Sequence, residues 1–134
     1  MSAILLVEDS HLVRATLHKF LAREGHDVTD CASGDEATQL LKKGRFDLVV
    51  ADLWMQGGDG LQFIRQARAS GNAVPIIAIT GGDPRSPIAN SAKAAGEAGA
   101  DRVLMKPFAK TTLTSLVGEL LEGQNRMEGH GIGL

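Results

Sequence analysis

The feature that most constrains this chain is a fivefold alternation of short apolar runs with amphipathic stretches. The runs are Ala3–Val7, Val28–Ala32, Leu48–Ala51, Pro75–Ile79 and Val103–Met105. The first, third and fourth are continuously apolar, the pattern of strands covered on both faces. A chain that repeats strand then helix in this way is expected to form an α/β fold. Its five strands make a parallel sheet with right-handed crossovers and helices on both faces.

The intervening stretches carry helical spacing. Val13, Leu17, Phe20 and Leu21 form a stripe ending before Gly25. Ser33 with Glu36 three residues on reads as a capping box, and Gly44 closes that helix. Asp59 is the expected N-cap of a third helix through Leu61 and Ile64 to Gly71. A fourth runs through the alanine-rich segment "IANSAKAAGEAG". The fifth has Leu113, Leu116, Val117, Leu120 and Leu121 on one face. "GGDPRSP" after Thr80 reads as a mobile loop, and residues 123–134 as a glycine-rich tail lacking order.

The totals exclude several classes. A length of 134 residues fits one domain. The net charge of −2 and the absence of a Lys/Arg cluster give no nucleic-acid footprint. Cys31, the single cysteine, excludes an internal disulfide and a cysteine-rich zinc site, and reads as a small core side chain. The opening "MSAILLVEDS" has no basic region, and its apolar run is too short for a signal peptide or a membrane span. The expectation is a cytoplasmic protein that binds neither nucleic acid nor membrane. The four scattered histidines show no metal-ligand spacing.

In open α/β sheets, ligands bind beyond the carboxyl ends of the strands. The first strand ends in Glu8-Asp9, the third in Asp52, the fourth in Thr80 and the fifth in Lys106. Each has a duller explanation when taken alone. Glu8-Asp9-Ser10 could cap a helix, Thr80 could be a turn residue, Lys106 could snorkel, and Asp52 could lie in a solvated loop. Their meeting on one edge of one sheet favours a site. Three adjacent carboxylates repel one another, and a hard divalent cation such as Mg²⁺ relieves that repulsion. With an ammonium and a hydroxyl added, the set makes a pocket for a phosphoryl group. The chain has no GxxxxGK[ST] loop to hold that group as part of a nucleotide. The remaining acceptor is a carboxylate, and Asp52 is the central one.

These residues give the chain a strong resemblance to response-regulator receiver domains of two-component signalling. The matching pieces are "LLVEDS", "VVADLWMQGGDG", "IIAITG" and "GADRVLMKPF", in family order over residues 3 to about 122. The resemblance implies a flavodoxin-like fold with strand order 2-1-3-4-5 and a receiver domain over residues 1–122. It also implies Asp52 as phosphoacceptor for a histidine kinase or histidine phosphotransfer protein. Glu8, Asp9, Asp52 and the backbone carbonyl of Trp54 would bind Mg²⁺, while Thr80 and Lys106 would engage the phosphoryl oxygens. The Lys106–Pro107 bond is expected to be cis.

The match departs from the family at four places. Gln56 stands where proline is usual, and Val103 where receivers carry Tyr, Phe or His. The loop after Thr80 is about four residues longer than in most receivers. Ala109 stands where the fifth helix usually has a capping Asp or Ser, so Thr111 or Thr112 is expected to cap a later start. Trp54, two residues past Asp52, is expected by its bulk to slow hydrolysis.

The overall expectation is a phosphorylation-activated switch, not an enzyme in the ordinary sense. It would act through an output protein, with a homodimer as one option. Two rivals are an aspartate-nucleophile phosphatase of the haloacid dehalogenase type and a degenerate receiver that binds partners without phosphorylation. The first usually needs an acid where this chain has Trp54, and the second usually lacks site residues present here.

Overall fold

Alternation along each strand decides which helices it packs against. In a computed structural model describing residues 2–55, 60–81 and 88–133, the elements run strand then helix throughout. They are β1 (Ala3–Val7), α1 (His11–Arg23), β2 (Asp27–Cys31), α2 (Gly34–Lys43), β3 (Leu48–Asp52), α3 (Gly60–Ala69), β4 (Ile76–Thr80), α4 (Ile88–Ala98), β5 (Arg102–Met105) and α5 (Lys110–Gly133). The strands are all parallel and ordered β2-β1-β3-β4-β5. This is the doubly wound arrangement expected.

Successive side chains of a strand point to opposite faces. Leu5, Val7, Val49, Ala51, Ile76 and Ala78 therefore form one core with residues of α2, α3 and α4, among them Leu41, Phe63, Ile64 and Ala95. Ile4, Leu6, Leu48, Val50, Ile77 and Ile79 form the other with Leu17 and Leu21 of α1 and Leu113, Val117 and Leu121 of α5. All five residues of β3 and of β4 are buried, which explains why each is apolar up to its last residue, Asp52 or Thr80. Cys31 is buried in the first core, as expected, and burial pushes its thiol up to about 11.

Local signals set most boundaries. The Ser10 side chain accepts from Val13 N at the start of α1, and that of Ser33 accepts from Glu36 N at the start of α2. Gly25 follows α1 at φ +91° and Gly71 follows α3 at φ +85°, backbone that glycine adopts without steric cost. Pro75 stays outside β4, but its carbonyl still accepts from Val49 N at 2.9 Å.

One expectation is corrected in α5. The helix begins at Lys110, and the Ala109 carbonyl accepts from Thr112 N and Leu113 N, so neither Thr111 nor Thr112 caps a later start. Packing outweighs the missing cap: Leu113 is fully buried, and the Lys110 ammonium lies 5.2 Å from the centroid of the Phe20 ring. Beyond residue 122 the backbone continues as helix to Gly133. A glycine weakens a helix interior by about 1 kcal/mol relative to alanine but does not forbid the hydrogen-bond ladder. The expected Asp59 cap, Gln56 and the bulk of the loop after Thr80 lie outside the described residues. Among the described residues no helix is long and apolar enough to cross a membrane.

Candidate functional site

Asp52 is the last residue of β3, directly after the apolar Leu48–Ala51, and is only 5% exposed. A carboxylate this buried requires compensation. It comes from the Lys106 ammonium, 3.2 Å from Asp52 Oδ2, and from the Trp54 backbone N–H, which donates to Oδ1 at 3.2 Å. Lys106 follows β5 directly, held in place because its own N–H donates to the Thr80 carbonyl at 2.9 Å. The Lys106–Pro107 bond is cis.

Glu8 stands just past β1, next to β3 in the sheet, and is 2% exposed. Its Oε1 lies 3.4 Å from Lys106 Nζ, and its Oε2 accepts from Ser10 N at 3.2 Å. Carboxylate oxygens of Glu8, Asp9 and Asp52 all lie within 4.8 Å of one another. The crowding shows in the titration of the group. Burial and then the Asp52 charge push the Glu8 carboxyl up to about 7, against the Ser10 N–H and the Lys106 charge. Burial opposes the Lys106 ammonium, but the charges of Asp52 and Glu8 prevail and hold its pKa above the ordinary lysine value.

Three carboxylates thus gather beside the Lys106 ammonium, and the donor atoms they offer are all oxygens. That donor set fits a hard divalent cation of the Mg²⁺ kind better than a soft transition metal. Thr80, the last residue of β4, is wholly buried, and its Oγ1 accepts from Trp54 Nε1 at 3.1 Å. The structure therefore brings Glu8, Asp9, Asp52, Thr80 and Lys106 to one edge of the sheet, with Trp54 over them.

Two contacts escaped the sequence. Arg14 Nη1 donates to the Glu8 carbonyl at 2.9 Å and to that of Asp9 at 3.5 Å, fixing the backbone that carries the acidic pair. The only sequence hint was a cation on the first turns of the helix after that pair. The Trp54–Thr80 bond joins residues 26 apart, beyond any local pattern. Val103 pairs with Ala78 across the strands and packs against the first core.

A family profile described as the response regulator receiver domain matches residues 4–118. Response regulator MprA of Mycobacterium sp. (strain KMS) is 38% identical over 127 residues, covering 94% of this chain and 53% of its own length. The chain thus spans about half the length of the curated relatives it matches. Among solved structures, the signal receiver domain of a signal transduction histidine kinase from Syntrophus aciditrophicus is 31% identical with a TM-score of 0.81, covering 92% of each chain. A CheY-like receiver domain protein from Methanospirillum hungatei JF-1 shares the fold at a TM-score of 0.85 and 24% identity, covering 95% of this chain and 98% of its own. The sheet order, the acid-rich edge and the profile match over most of the chain agree: it belongs to the response regulator receiver domain family, whose members serve as switches in two-component signalling.

Proposed function

We propose that Asp52 accepts a phosphoryl group from a histidine kinase or histidine phosphotransfer protein. The observation that carries this reading is the buried Asp52 carboxylate, with Lys106 at 3.2 Å and oxygens of Glu8 and Asp9 within 4.8 Å. In the transfer, an Asp52 oxygen forms the new O–P bond as the P–N bond to the donor imidazole breaks. The departing nitrogen takes up a proton and leaves as neutral histidine. Such transfer depends on in-line positioning and charge neutralisation more than on covalent help from neighbours.

Lys106 pairs with the phosphoryl oxygens, and the Thr80 hydroxyl donates to them. Glu8, Asp9, Asp52 and the backbone carbonyl of Trp54 would hold a magnesium ion, whose charge offsets those of the carboxylates and of the phosphoryl group. The receiver unit over residues 1–122 then signals through an output partner that prefers the phosphorylated form, since only differential affinity can shift a switch.

Intact-mass measurement with acetyl phosphate and Mg²⁺ tests this. The wild type should gain one phosphoryl group, and Asp52→Asn or addition of EDTA should abolish the gain. A gain that persists in Asp52→Asn would move the acceptor elsewhere and overturn the proposal.

A further inference from the structure

We infer that Trp54 is a positioning residue for the Asp52 reaction, its indole N–H fixing the Thr80 hydroxyl as a donor toward the phosphoryl group. The inference rests on the reading of Asp52 as acceptor. Trp54 is bonded to both partners of that reaction. Its backbone N–H donates to Asp52 Oδ1 at 3.2 Å, and its Nε1–H donates to Thr80 Oγ1 at 3.1 Å.

The direction of the second bond carries the argument. An indole N–H can only donate, so Thr80 Oγ1 must accept from it. In that bond the hydroxyl keeps its own proton for donation, and phosphoryl oxygens are acceptors that can receive it. Accepting one bond also strengthens the hydroxyl as a donor in the next. Because Thr80 is wholly buried, bulk water does not set its orientation.

Composition leaves this task to one ring. The chain has no tyrosine and one tryptophan, so among Phe, Tyr and Trp residues only Trp54 can hydrogen-bond through its side chain. Val103 on the neighbouring strand has no polar atom to offer. Trp54 remains 36% exposed, so its body stands at the rim while its N–H reaches inward.

A double-mutant cycle on the acetyl phosphate reaction tests the inference. Trp54→Phe keeps the ring and its bulk but removes the donor. Thr80→Val keeps the shape but removes the acceptor. Each is expected to slow phosphorylation by about 2- to 10-fold, the value of one hydrogen bond. The double variant should be no slower than Thr80→Val alone. In Thr80→Ser, which keeps the hydroxyl, Trp54→Phe should cost as much as in the wild type, a comparison that stands even if Thr80→Val folds poorly. The single indole N–H resonance gives a second readout and should move upfield in Thr80→Val. Additive losses, or a resonance unmoved by Thr80→Val, would overturn the role of Trp54 while leaving Asp52 as acceptor. Absence of any mass gain in the wild type would instead overturn the acceptor reading.

Discussion

At the amino edge of the sheet, Asp47 and Asp101 each serve the backbone, whereas at the carboxyl edge Glu8, Asp9 and Asp52 crowd one another. Asp47 Oδ2 accepts from Ala3 N and Asp101 Oδ2 from Ile76 N, both at 2.8 Å, so each carboxylate ties the strand it precedes to a neighbouring strand. Arg68 completes the second tie, its NH2 group 2.9 Å from Asp101 Oδ2. Its remaining donors serve the carbonyls of Gly99, Asn72 and Val74 at 2.7–2.9 Å. At the other edge Lys106 pairs with both Glu8 and Asp52, and Asp9 lies beside them. One edge uses its charges for stability; the other holds them against stability, as functional sites commonly do.

The contrast can be broken most forcefully at Arg68. Arg68→Ala strands three carbonyls and should cost about 2–4 kcal/mol in urea unfolding, while the folded variant still gains a phosphoryl group. Loss of that gain in folded protein would show that the two edges are not separable.

Gly60→Ala probes the point where fold and site meet. An added Cβ would collide with the Asp52 backbone carbonyl, against which α3 is seated. The expected cost is about 1–3 kcal/mol, with slower phosphorylation because the acceptor is displaced. Wild-type rates and unfolding midpoint in this variant would contradict the close approach.

The smallest effects carry the sharpest contrast. Neutralising one acid at each edge should change stability in opposite directions, by less than about 1 kcal/mol at the exposed Asp101. Asp101→Asn should destabilise, and Glu8→Gln should stabilise the metal-free protein near and above pH 7 while slowing Mg²⁺-dependent phosphorylation. The same sign if both variants were measured in urea would end the comparison.

Proton linkage gives the matching pH profile. The folded Glu8 carboxyl sits at about 7 against an ordinary value of 4.5, so the folded state binds that proton more tightly. Its stabilising contribution is complete below about 4.5 and is lost as pH rises through about 7. Metal-free wild type should therefore lose thermal stability relative to Glu8→Gln across that window, as melting curves in EDTA would show.

How much was legible in the sequence depended on the range of each signal. Period-two burial and the Ser33 cap are local, and β1 is bounded as its apolar run suggests. β2 and β4 differ from their runs by one residue, because pairing with neighbours decides where a strand ends. The α5 start was misread because the cap residue at Ala109 was weighed without the core contacts of Leu113. At the site, strand ends named Glu8, Asp9, Asp52, Thr80 and Lys106, since parallel order alone delivers all strand ends to one edge.

What the sequence determined by itself was the alternation, hence the layers, and which polar groups would share an edge. Only the tertiary structure decided that the Trp54 indole meets Thr80 and that Arg14 meets the Glu8 and Asp9 carbonyls. The reason is physical. A periodic pattern fixes which face a side chain takes, whereas a bond between neighbouring segments depends on their register and on rotamers chosen by packing.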